Sequence, residues 1–138
     1  MANYSQASSI SAYRSVAAHG VVADANPHQL ITMLMDGALD RLVSAKGCIE
    51  RGALIEKSTL LHRVGEIISE LSCSLNHSVG GSLSKNLEQL YQYMMKRVLH
   101  ANLKNDAVAI DEVSRLLTEI REAWVAIPAD FRTARKAG

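Results

Sequence analysis

From Asn26 onward, apolar side chains recur three and four residues apart, and the interruptions divide the chain into four segments. Ile31, Met35, Ala38, Leu42, Ala45 and Ile49 form the first row, the spacing of one face of an α-helix. Asn26-Pro27 opens this helix. The asparagine side chain can accept from a first-turn N–H, and a proline at the first helical position has no N–H to lose. Gly52 closes it, while Gly37 in its middle costs about 1 kcal/mol against alanine and suggests a close approach of another helix. A connection over residues 53–58 leads to the second row, Leu61, Val64, Ile68, Leu71 and Leu75. That row stops before Gly80-Gly81. Leu83, Leu87, Leu90, Met94, Val98 and Ala101 make the third row, and Ile110, Val113, Leu117, Ile120, Trp124 and Ile127 the fourth. Asn105-Asp106 caps the last helix at its start and Pro128 stops it.

The pattern predicts helices over about 27–52, 58–77, 83–104 and 106–127. Four such helices with short connections fold as an all-α, antiparallel up-down four-helix bundle. Residues 1–25 are Ser/Ala-rich and bury too little to hold themselves, so they read as a mobile or weakly docked arm. Ile10 and Tyr13 within it would share a face of a short helical turn; alternatively they are incidental residues of the arm. Residues 129–138 read as a tail.

The third helix is unlike the others. Its apolar arc continues through Tyr91 to Met95, Leu99 and Leu103, with Tyr93 on the other flank, and exceeds roughly 200° of the circumference. A bundle buries one side of each helix. Either an irregular bundle lets the first helix cover the excess, or the N-terminal arm, a second copy of the chain or a partner segment covers it. Leu90, Tyr91, Tyr93, Met95, Leu99 and Leu103 are therefore candidate contact residues, and methionine suits a surface that adapts to its partner.

Composition narrows the alternatives. Lys plus Arg is 15 against 14 for Asp plus Glu, so no large field draws in nucleic acid or an anionic membrane. Arg132, Arg135 and Lys136 read as a solvated tail. No apolar run approaches the roughly 20 residues needed to cross a bilayer, and the first 20 residues lack an apolar secretion signal. A cytosolic protein is expected. Cys48 and Cys73 form no CxxC and read as two buried, reduced thiols.

The sequence carries few groups arranged for chemistry. None of the five histidines has an acidic residue three positions before it, so the Glu-x-x-His pairs of di-metal bundles are missing. Asp36 and Asp40, beside Arg41, read as a solvated face, and His28 as a neutral surface residue. No haem attachment motif, phosphate loop or GxSxG is present. No cofactor and no enzymatic activity are expected.

Several motifs in register resemble one family. Ala25-Asn26-Pro27-His28-Gln29-Leu30-Ile31 with Met33-Leu34-Met35-Asp36-Gly37-Ala38 is similar to the first-helix signature of the flagellar secretion chaperone family FliS. Gly80-Gly81, Asn86-Leu87-x-x-Leu90-Tyr91-x-Tyr93-Met94, Arg97-x-Leu99-x-Ala101-Asn102, Asn105-Asp106, Glu112-Val113 and Ala123-Trp124 continue the likeness over roughly residues 10–125. The chain departs at Met35, where the family has an aromatic, and at Ser82 and Gln92, where it has acidic residues. These positions read as solvent-facing or tolerant. The resemblance implies a cytosolic chaperone that binds the disordered C-terminal segment of flagellin, prevents early polymerisation and supports delivery to the type III export gate through its component FlhA. It also implies that Ile10 and Tyr13, which match the family's Ile-x-x-Tyr, lie near the flagellin-binding surface. The contrasting reading is a generic self-associating helical adaptor, a homodimer closing over Met95, Leu99 and Leu103.

Overall fold

The computed structural model describes residues 26–76 and 80–127. Ile10, Tyr13 and the C-terminal tail lie outside the described residues. Four helices follow in order: α1 (Pro27–Arg51), α2 (Leu54–Cys73), α3 (Ser82–Lys104) and α4 (Ala107–Val125). Each packs against two neighbours in a closed ring, α1 on α2 and α4, α3 on α2 and α4, while the diagonal pairs barely meet. Polar ties between helix ends give the directions. Lys57 at the start of α2 reaches Asn102 at the end of α3, and His28 at the start of α1 meets Trp124 at the end of α4. Neighbouring helices are thus antiparallel, the up-down bundle the periodicity predicts.

Local signals explain the helix ends. Asn26 Oδ1 accepts from the Gln29 N–H at 2.9 Å, and Gln29 Oε1 accepts from the Asn26 N–H at 3.0 Å. This reciprocal box satisfies two of the donors a helix start leaves open. Gly52, at φ 75°, stops α1 in the left-handed region. At the last turn, Asp106 accepts from the N–H groups of Val108 and Ala109. Those bonds, the one from Ala109 first, hold its carboxyl below the usual range. Gly80 and Gly81 serve different needs. Gly81 takes φ 55°, whereas a Cβ on Gly80 would fall 1.8 Å from Ser84 Oγ.

Several expectations need correction. The helix α2 begins at Leu54, not 58, because Lys57 N–H already bonds to Ala53 O. Its first turn carries exposed Leu54 and Ile55, which add nothing to a core-facing row and so hide the helix start. It ends at Cys73, four residues short of the expected 77. Leu83 belongs to the core face by spacing but is 65% exposed, since it lies level with the chain beyond the last turn of α2. Met35 is wholly buried, not solvent-facing. Ser82 and Gln92 are exposed. Cys48 is buried and Cys73 exposed, with no disulfide between them; desolvation raises the Cys48 thiol's pKa. Asp36, read as part of a solvated face, is only half-exposed and pairs across the α1–α4 seam with Arg121, Oδ1 to Nε at 2.5 Å.

The core runs through all four helices, from Leu34, Met35, Ala38 and Leu42 on α1 and Leu61, Val64, Ile68 and Leu71 on α2 to Met94, Val98, Ile110, Val113 and Leu117. Among the described residues, two charged side chains are buried with it. Lys57 donates from Nζ to Asn102 O at 2.8 Å and to Asn105 Oδ1 at 2.5 Å, so its cation sits on a last-turn carbonyl of α3 and the side-chain amide of the capping residue, where a helix end favours positive charge. Glu70 is different: Oε1 has no hydrogen-bond partner and desolvation raises its pKa above the ordinary glutamate value, with Arg63 opposing. A raised folded pKa favours folding below the ordinary glutamate range, and that gain is lost as pH rises through the folded value. Glu70→Gln should therefore raise stability at pH 7.5 by about 1 kcal/mol and flatten the decline that urea melts of the wild type should show as pH rises above the ordinary glutamate range. An unchanged pH profile would place the proton linkage elsewhere.

Candidate partner-binding surface

The excess apolar arc of α3 is left uncovered by the described helices. Tyr91, Met95, Leu99 and Leu103 stand four residues apart, and successive fourth residues drift about 40° around a helix. Their exposure rises along the row: 3%, 38%, 59% and 71%. The row is a ridge that leaves the core at Tyr91 and climbs onto the outer surface. Tyr91, whose phenol burial pushes up to about 12, anchors it and offers no accessible contact. Leu90 also packs on the core, half-buried. Of the expected contacts, Met95, Leu99 and Leu103 form one continuous outward strip. The α1 helix cannot cover it, because α1 stands diagonally across the ring from α3.

Which edge the ridge borders follows from the polar ties. Asn102 Oδ1 accepts from Ser58 Oγ at 3.0 Å, so that side of α3 faces α2. Met95 lies seven residues, two helical turns, before Asn102 and shares the α2 edge. Tyr93 is elsewhere. Its ring is 43% exposed on the α4 edge, where its hydroxyl donates to Glu112 Oε2 at 2.7 Å and Arg97 Nε donates to Glu112 Oε1 at 2.6 Å. The hydroxyl and then the guanidinium hold the Glu112 carboxyl below its usual pKa, while the same bond raises the phenol. Arg97, Val108, Asp111, Glu112 and Arg115 line a shallow open depression there. The structure thus separates Tyr93 from the Met95–Leu99–Leu103 strip.

Sequence reasoning missed two features here. Leu54 and Ile55, exposed at the start of α2, lie near the Leu103 end of the ridge, because Lys57 and Asn105 meet there. His28 is not a lone surface residue. Its ring stacks on Trp124 with centroids 4.5 Å apart and planes 9° apart. The pairing joins helix ends remote in sequence, which spacing alone cannot reveal.

Among the described residues no group of three or more His, Cys, Asp or Glu could hold a metal ion, and no helix is long and apolar enough to cross a membrane. The arrangement offers apolar surface bordered by polar edges, which suits binding an amphipathic segment.

The chain matches the family described as Flagellar protein FliS over residues 9–130. It is 45% identical over 132 residues to the flagellar secretion chaperone FliS of Salmonella typhimurium, spanning 94% of this chain and 98% of that protein. With the flagellar secretion chaperone FliSB of Pseudomonas aeruginosa the identity is 44% over 112 residues, 81% and 89% of the two chains. The FliS of Vibrio cholerae is 36% identical over 132 residues, 94% and 97% of the two chains.

Proposed function

This chain belongs to the FliS family and is a flagellar export chaperone, and from that premise we propose that its client is flagellin, bound through the C-terminal segment. The chaperone keeps that segment from polymerising in the cytosol and hands it to the type III export gate through FlhA. It does so by binding alone, with no catalytic step and no cofactor. The observation that carries the proposal is the exposed Met95–Leu99–Leu103 ridge on α3. A segment that assembles into filaments through an apolar face needs a substitute for that face until export, and an amphipathic helix on an apolar ridge supplies one. Ordering a disordered client costs about 2–5 kcal/mol. A long apolar strip offsets that cost while leaving the complex reversible.

Calorimetric titration with a C-terminal flagellin fragment tests the proposal. Saturable heat and co-elution on gel filtration at one-to-one stoichiometry are expected. Absence of both, with a stable dimer of the chaperone alone, would favour the self-associating adaptor instead. The arm carries a separate expectation from Ile10 and Tyr13. Deleting residues 1–20 should change affinity for the fragment while leaving the circular dichroism of the bundle intact. Equal affinities would make the arm a bystander in client binding.

A further inference from the structure

On the flank of α3 away from the ridge, charge replaces apolar surface. From Gln89 to Lys104 the helix holds Lys96, Arg97, His100 and Lys104 and no acidic residue. In a chain of formal net charge +1 that is a local excess of one sign. Lys96, His100 and Lys104 stand four residues apart, each one position beyond a ridge residue. Their row therefore runs beside the ridge, about 100° further round the helix, and drifts toward α4.

The acids that border this row are already engaged. Glu112 accepts from Tyr93 and Arg97, and Asp111 accepts from Lys46. Asp106 accepts from the first N–H groups of α4 and from His100 Nε2 at 3.2 Å. Lys96, Lys104 and Arg115 are exposed and make no hydrogen bond or ion pair among the described residues. Elsewhere Lys46, Arg51, Arg63 and Arg121 each face a carboxylate. The three unpaired cations surround apolar surface. Val108 is 73% exposed, the Tyr93 ring is half-exposed, and Val108 shares a shallow depression with Arg97 and Arg115. Because Glu112 is level with Tyr93, Arg115 lies about one turn toward the start of α3 and Val108 about one turn toward its end. From Tyr93 to Lys104 the strip runs about 17 Å.

We propose that this α4 edge of α3 is a second docking surface, for an acidic helical segment of a protein other than the client. Its carboxylates would meet Arg115, Lys96 and Lys104, and one aliphatic side chain would cover Val108 and Tyr93. Charge complementarity selects the partner's sign. The apolar centre favours a peptide over nucleic acid, since a phosphate backbone gains nothing from Val108 and three unpaired cations hold it weakly against salt. Tyr93 and Met95 lie roughly 160° apart around α3, so one helix cannot touch both flanks. The ridge and the α4 edge can be occupied together, whichever client the ridge carries.

The probe is a synthetic helical peptide of about fourteen residues, glutamate and alanine with one central leucine, titrated into the full isotope-labelled chain and followed by NMR. Saturable shifts are expected at the amides of Tyr93, Arg97, Val108 and Arg115, with an affinity that falls as salt is raised. Lys96→Glu and Arg115→Glu should each weaken binding by about fivefold and Val108→Ser by about threefold, with unchanged circular dichroism. Lys85→Glu, the same charge change at the other end of α3, should stay within about twofold of wild type. Saturating the chain with the flagellin fragment beforehand should leave the peptide's affinity unchanged. Absence of shifts, shifts confined to Met95, Leu99 and Leu103, or displacement by the flagellin fragment would overturn the proposal. So would an equal loss in Lys85→Glu, or equal binding of a peptide with lysine in place of glutamate. Tighter binding of a single-stranded oligonucleotide of similar length would overturn it in favour of nucleic acid.

Discussion

Leu99→Glu is expected to weaken flagellin-fragment binding by about a hundredfold or more while moving the melting temperature by no more than about 2 °C. The two halves of that result have separate causes. Leu99 is 59% exposed, so the bundle loses little buried surface when it is replaced. Glutamate is nearly as good a helix former as leucine, and Lys96 one turn earlier is a compatible neighbour. In the proposed complex the same side chain would meet an apolar client face. Placing a carboxylate there costs about 3 kcal/mol or more of desolvation without a compensating partner, which is about two decades in affinity. Leu99→Ala, which only trims contact area, should cost closer to tenfold. Tyr93→Ala provides the contrast: Tyr93 sits on the α4 edge, bonded to Glu112, and its loss should leave affinity within about twofold. A sharp fall in melting temperature for Leu99→Glu would mean that Leu99 supports the core. Equal losses for Leu99→Glu and Tyr93→Ala would mean that the client covers both edges.

Trp124→Ala should lower stability by about 3 kcal/mol, seen as a fall of about 10 °C in melting temperature. The loss exceeds that of an ordinary half-buried residue because Trp124 closes the ring between the first and last helices. Trp124 Nε1–H donates to His28 O at 3.0 Å, and His28 Nε2 lies 2.8 Å from Trp124 O, where it donates. The stacked rings lie between these two bonds. Farther along the seam, Arg121 pairs with Asp36 and Lys46 with Asp111, but these pairs are partly solvated and worth little individually. Trp124→Phe should fall between wild type and alanine, since it keeps a ring to stack and loses the donor. His28→Ala combined with Trp124→Ala should cost less than the two losses added, the mark of direct contact. Trp124 is the single tryptophan, so its fluorescence follows the seam directly. A Trp124→Ala protein melting within about 2 °C of wild type would show that the helix interiors alone hold α1 to α4.

The sequence by itself determined the number of helices, their type and the face each turns inward. Three- and four-residue spacing is a local property, and Asn26, Asp106 and the glycine pair act within a turn or two of where they stand. It also made the wide arc of α3 visible, because an arc is counted along one helix. Only the tertiary structure decided which part of that arc is accessible. Tyr91 and Leu99 are equally apolar by pattern, yet one is core and the other surface. The difference comes from the packing of α2 and α4 against α3 and from the diagonal place of α1. Tyr93 reads as the opposite flank of the arc, and only the bond to Glu112, nineteen residues later, shows that this flank is the α4 edge. Leu83 has the right spacing but no helical turn of α2 beside it. His28 and Trp124 lie 96 residues apart, and no spacing rule along the chain joins them. Each of these depends on which helix stands next to which, and at what height. Spacing along one chain segment carries no information about either, because the forces that set them act between segments brought together by folding.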